Sequence, residues 1–66
     1  MNLNKLKGKI VERGMTVEIL GAMIGIEKTT LYRKLNNFER ITIGEANRIK
    51  TALELSDEDA IEIFLS

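Results

Sequence analysis

Between positions 28 and 40 the chain carries Lys28, Thr29, Tyr32, Arg33, Asn36, Asn37 and Arg40, a run of side chains able to donate hydrogen bonds. Lysine and arginine only donate, whereas threonine, asparagine and tyrosine both donate and accept, so the set suits an anionic ligand rich in acceptors. Nucleic acid offers phosphates along its backbone and base edges on which Arg pairs with guanine, Asn with adenine and a Thr methyl packs on thymine. Composition removes much other chemistry. With no cysteine and no histidine among 66 residues, thiolate nucleophiles, disulfides, Cys/His zinc sites and imidazole acid–base catalysis are ruled out. Carboxylates, lysines and a single tyrosine remain, in no arrangement that forms a catalytic cleft. The chain therefore reads as no enzyme, with no cofactor, no metal and no small-molecule substrate expected.

The donors need a scaffold, and the apolar pattern predicts a helical one. Proline is absent, and apolar residues recur at three- and four-residue intervals. Five helices are predicted, packed as one all-α domain over residues 1–66. The first covers residues 3–13, with Leu3, Leu6, Ile10 and Val11 inward and Gly14 ending it in the left-handed conformation. Thr16 caps the second, residues 17–24, which turns Leu20, Met23 and Ile24 inward and stops at Gly25. The third, residues 28–36, carries Leu31 and Leu35 one turn apart and ends at the turn-prone pair Asn36 and Asn37. Thr42 and Glu45 have the spacing of a capping box that opens the fourth, which runs to residue 54 and buries Ala46, Ile49 and Leu53 beside the small Ala52. Ser56 caps the fifth, residues 57–65. Its first-turn carboxylates Asp57, Glu58 and Asp59 complement the helix dipole, and Ile61, Phe64 and Leu65 form its apolar side. Met15 and Met23 are expected to fill gaps.

On a 100° wheel the third helix keeps Leu31 and Leu35 inside, while Thr29, Tyr32, Arg33 and Asn36 form one outer stripe. Residues 16–36 thus make a capped helix, a glycine-containing turn and a second helix: a helix-turn-helix layout. Such a unit needs a small residue where its helices approach, a glycine at the turn and apolar side chains at the interface. Gly21, Gly25 and the set Leu20, Ile24, Ile26 and Leu31 meet those needs.

The stretch from Thr16 through Arg33 resembles the phage repressor and Cro family of helix-turn-helix domains, the XRE type. Helices one, four and five also sit where that family has them. The resemblance implies a single compact five-helix domain of the lambda-repressor-like type, with the motif formed by helices two and three. It implies sequence-specific binding of double-stranded DNA by a small phage or prokaryotic transcriptional regulator, a Cro-like repressor reading the major groove with helix three. The chain departs from the usual pattern at Val17, Gly21, Glu27, Lys34 and Asn37, where the family often has Gln, Ala, a small capping residue, an apolar residue and Gly; Leu35 takes over for Lys34.

In helix-turn-helix docking the N-terminal residues of the recognition helix reach base edges, and the preceding helix touches the backbone. Lys28, Thr29, Tyr32 and Arg33 are accordingly the expected base readers. Thr16, Asn36, Asn37 and Arg40 are the expected phosphate contacts. Tyr32 has a second role open to it, covering the core edge with its ring. Glu27 either accepts from cytosine or sits near the helix dipole.

Net charge is zero, but residues 1–40 hold eight basic groups against four acidic ones, and residues 41–66 hold two against six. The asymmetry suggests a first half that faces a polyanionic DNA operator and an acidic tail that faces away. A short recognition helix makes few contacts, so a homodimer on two half-sites is expected, with Ile61, Phe64 and Leu65 either pairing with a second copy or closing the core. Zero net charge leaves an alternative, a helical protein–protein interaction adaptor that uses the same fold without DNA. No apolar run suggests a membrane span or signal peptide, and a cytoplasmic location is the expectation.

Overall fold

The computed structural model describes residues 2–37 and 40–65. It contains α1 (Leu3–Glu12), α2 (Val17–Ile24), α3 (Lys28–Asn36), α4 (Ile43–Ala52) and α5 (Asp57–Phe64), with no strand among the described residues. Four of the five helices begin on a side-chain oxygen. Asn2, Thr16, Thr42 and Ser56 each accept from a backbone amide three residues on, satisfying a donor that has no partner within the helix. At α4 the box is reciprocal, because the Glu45 carboxylate also accepts from the Thr42 amide at 2.9 Å. The exception is α3, whose N-cap Glu27 makes no side-chain capping bond. Glu27 therefore stands beside the dipole without closing the helix.

The core is Leu6 and Ile10 of α1, Leu20 and Ile24 of α2, Leu31 and Leu35 of α3, Ile49 of α4, Leu53 and Leu55 after it, and Ile63 of α5. Leu3, Met15, Val17, Ile26, Ile41, Ala52 and Phe64 pack around it, half-buried. Each fully buried aliphatic side chain contributes about 1.5–3 kcal/mol, which makes this cluster the main source of stability in so short a chain. Two arginines finish helices to which they do not belong. Arg48 Nη1 donates to the Ile24 carbonyl at 3.0 Å, and Arg13 donates to the carbonyls of Leu53 (2.9 Å) and Glu54 (3.3 Å). Cations at these carbonyls complement the negative helix ends.

Val11 and Met23, expected inward, face out, and of the apolar side expected for α5 Ile61 and Leu65 are exposed. Val11 is 74% exposed, Met23 56%, Ile61 54% and Leu65 78%. In α1 the pair Leu6 and Ile10 points at the core, and Val11 lies a further 100° round the wheel, beyond the buried arc. Met23 is displaced from Ile24 in the same way, so of the two methionines only Met15 fills a gap. In α5 the inward residue is Ile63, fully buried, and the stripe runs through Ala60, Ile63 and Phe64, leaving Ile61 and Leu65 one turn apart on the outside. Two contacts with α1 set that rotation: the Asn2 amide donates to the Ile63 carbonyl at 2.9 Å, and Asp59 pairs with Lys5 and Lys9, each at 3.1 Å.

Candidate nucleic-acid interface

The turn between α2 and α3 is built on two glycines. Gly25 ends α2 with φ of +76°, in the left-handed region that favours glycine. Gly21 is buried where α2 passes beneath the turn, and a Cβ on it would stand 2.5 Å from the Ile26 carbonyl oxygen. The Ile26 amide donates back to the Gly21 carbonyl at 2.9 Å. The turn thus folds directly onto Gly21, leaving no room for a side chain there. Ile26 packs against the core as the corner plug, and Leu20 and Leu31 are fully buried, one on each helix of the pair.

With Leu31 and Leu35 inward, Lys28, Thr29, Tyr32, Arg33 and Asn36 are all exposed on α3, and Tyr32 is 45% exposed. Its ring therefore leaves a large part of its surface open to a ligand. Lys28 reaches back to Glu18 of α2 at 3.5 Å, an exposed pair that contributes little to stability and can exchange partners. Beside the outer stripe lies a concavity lined by Thr30, Arg33, Lys34, Asn37 and Arg40. Arg33, Asn37 and Arg40 are expected contacts; Thr30 and Lys34 line the same concavity without having been among the expected contacts. The signal was present, since positions 30, 33, 34 and 37 follow the i, i+3, i+4, i+7 spacing of one helical face. Thr16 stands apart from this group at the start of α2, exposed, with its oxygen accepting from the Ile19 amide at 3.2 Å.

The ion pairs redistribute the charge asymmetry read from the sequence. Lys5 and Lys9 are held by Asp59, with Glu62 also on Lys5 and Glu12 on Lys9, and Arg13 faces Glu54 at 3.7 Å. The acidic last helix therefore does not simply face away from the basic half but pairs with Lys5 and Lys9 of α1. Among the described residues no ion pair engages Arg33 or Arg40. Lys34 is paired with Glu45, whose carboxyl is held below the usual carboxylate range by the Thr42 amide and then by Lys34. Arg33 and Arg40 thus set two cations without an ion pair among the described residues close to the end of α3, and Lys7 and Arg48 are likewise without one elsewhere. Among the described residues no group of three or more Asp or Glu could hold a metal ion, and no helix is long and apolar enough to cross a membrane.

A helix pair joined by a tight glycine turn, with a polar and basic second helix exposed over a buried apolar floor, defines a helix-turn-helix domain. The Cro/C1-type helix-turn-helix DNA-binding domain matches residues 5–64, and the chain belongs to that family. The family is one of DNA-binding domains of transcriptional regulators, with double-stranded DNA as the partner. No curated protein and no solved structure matches the chain.

Proposed function

We propose that this protein is a small phage or prokaryotic repressor of the Cro-like kind, a non-enzymatic cytoplasmic regulator that binds a specific operator by laying α3 in the major groove. Lys28, Thr29, Tyr32 and Arg33 read bases, and Thr16, Asn36, Asn37 and Arg40 contact phosphates. The observation that carries the reading is the exposed outer face of α3, which includes Arg33 and adjoins Arg40, with no carboxylate among the described residues paired to either arginine. An α-helix fits the major groove, and its N-terminal side chains meet base edges there.

The protein acts as a homodimer in this reading. Successive major-groove half-sites lie about 34 Å apart, whereas the domain measures only 26 Å along its longest axis, so one copy covers one half-site. Support for a pairing surface comes from an apolar groove between α4 and α5, where Ile43, Ile61 and Leu65 are exposed.

Titration of isotope-labelled protein with duplex DNA at two salt concentrations tests the assignment. Shifts should cluster on residues 28–36, and affinity should fall steeply as salt rises, because phosphate binding releases counterions. Absence of shifts at low salt would falsify DNA binding and favour the protein-binding adaptor.

A further inference from the structure

Lys34 and Glu45 form the least exposed ion pair among the described residues, their side chains 23% and 11% exposed. Lys34 Nζ lies 3.0 Å from Glu45 Oε2 and 3.2 Å from Oε1, and it also donates to the Arg40 carbonyl at 3.3 Å. Glu45 Oε1 in turn accepts from the Thr42 amide at 2.9 Å. One ammonium group therefore joins the last turn of α3, the backbone at Arg40 and the capping box of α4. Enclosed charges lose hydration, and such a pair persists only where further hydrogen bonds complete it, as the Arg40 carbonyl and Thr42 amide do here.

The consequence falls on Arg40. Its backbone is bonded to Lys34, while its side chain lines the same concavity as Arg33 and Asn37 from α3. We propose that Lys34 is a positioning residue for DNA binding: clamped between Glu45 and the Arg40 carbonyl, it holds Arg40 beside Asn37 so that the two engage one stretch of phosphate backbone next to the base-reading Arg33. This rests on the reading of α3 as the DNA-facing helix. A segment already held in place has less conformational entropy to lose on binding, and that is the gain the clamp supplies.

The role of Glu45 separates this arrangement from simple charge attraction. A carboxylate beside a phosphate-binding concavity repels DNA, so on charge alone its removal tightens binding. Positioning gives the opposite sign, because Glu45 holds Lys34 and Lys34 holds Arg40.

The test measures affinity for a fluorescein-labelled mixed-sequence duplex by anisotropy, using wild type, E45Q, K34M, R40A and the K34M/R40A double variant, with helicity followed for each. E45Q and K34M should each weaken binding about three- to tenfold, within the range of coupling through a side-chain network. The K34M loss should vanish in the R40A background, since coupled residues are not additive. In the free protein, exchange of the Arg40 amide, which donates to the Asn37 carbonyl at 3.0 Å, should speed up in E45Q. Tighter binding by E45Q, or losses from K34M and R40A that multiply, overturns the positioning role. Should K34M lose its helicity, E45Q retains an acceptor for the Thr42 amide and decides the matter by its sign alone. Wild type that binds no duplex at low salt overturns the DNA reading itself; wild type that binds while E45Q and K34M bind equally well overturns only the clamp.

Discussion

Gly21 lies so close under Ile26 that a Cβ on the glycine would stand 2.5 Å from the Ile26 carbonyl oxygen. An alanine within a helix is ordinarily favoured over glycine by up to about 1 kcal/mol. Here the obstructing atom belongs to the backbone of the turn, which is tied to Gly21 by the Ile26 amide. G21A should therefore reverse the usual preference and destabilise the domain by about 1–3 kcal/mol, the range for overpacking. Thermal denaturation decides it; a higher Tm for G21A would show that the turn can rise off α2.

Arg33 and Arg40 should differ in the kind of loss they produce. R33A should cost about 1–3 kcal/mol on the preferred operator and relax discrimination at one base pair, whereas R40A should weaken all sequences alike and lower the salt slope by about one. Affinities for a panel of single-base operator variants at two salt concentrations separate the two. Equal losses on every sequence for both variants would leave α3 without base readers.

Stability should fall in acid through the seam between α1 and α5. Lys9 and then Lys5 hydrogen-bond to Asp59 and hold its carboxyl below the usual range, and Glu45 is lowered likewise by the Thr42 amide and Lys34. A depressed carboxyl stabilises the fold in full above its unfolded value, about 4, and that contribution disappears as pH falls through the folded value. Lys5 and Lys9 are raised, chiefly by Glu62 and Asp59 respectively, so their share is lost only as pH rises past the ordinary lysine range. D59N should flatten the acid limb of a stability-against-pH curve measured by denaturant titration, and an unchanged limb would remove Asp59 from the account.

Ile63 and Leu65, two positions apart, should behave oppositely. Ile63 is fully buried, and I63A should cost about 2–5 kcal/mol. Leu65 is 78% exposed, and L65D should leave the Tm of the monomer nearly unchanged while shifting sedimentation from dimer to monomer. A wild-type chain that sediments as a monomer at high concentration removes the dimer from the proposal.

The five helices, the caps at Thr16, Thr42 and Ser56 and the helix-turn-helix were legible in the sequence, because each rests on local chemistry. A Thr or Ser oxygen reaches an amide three residues on, a glycine accepts a left-handed φ at Gly14 and Gly25, and a four-residue repeat places Leu31 and Leu35 on one side of α3. The outer face of α3 follows directly from that inner one. Which stripe of α5 turns inward depends instead on tertiary contacts. Ala60, Ile61, Ile63, Phe64 and Leu65 spread apolar surface over too much of the helix for periodicity to choose, and the choice came with Ile63 buried in the core and Asp59 meeting Lys5 and Lys9, fifty or more positions away in sequence. The same holds for Lys34. As a residue type it reads as a solvated cation on a basic helix, and only the approach of α4 puts Glu45 within 3.0 Å of it. Local rules determine where a helix starts, stops and is apolar, whereas the rotation of a helix and the partner of a charge depend on elements that meet only after the chain has folded.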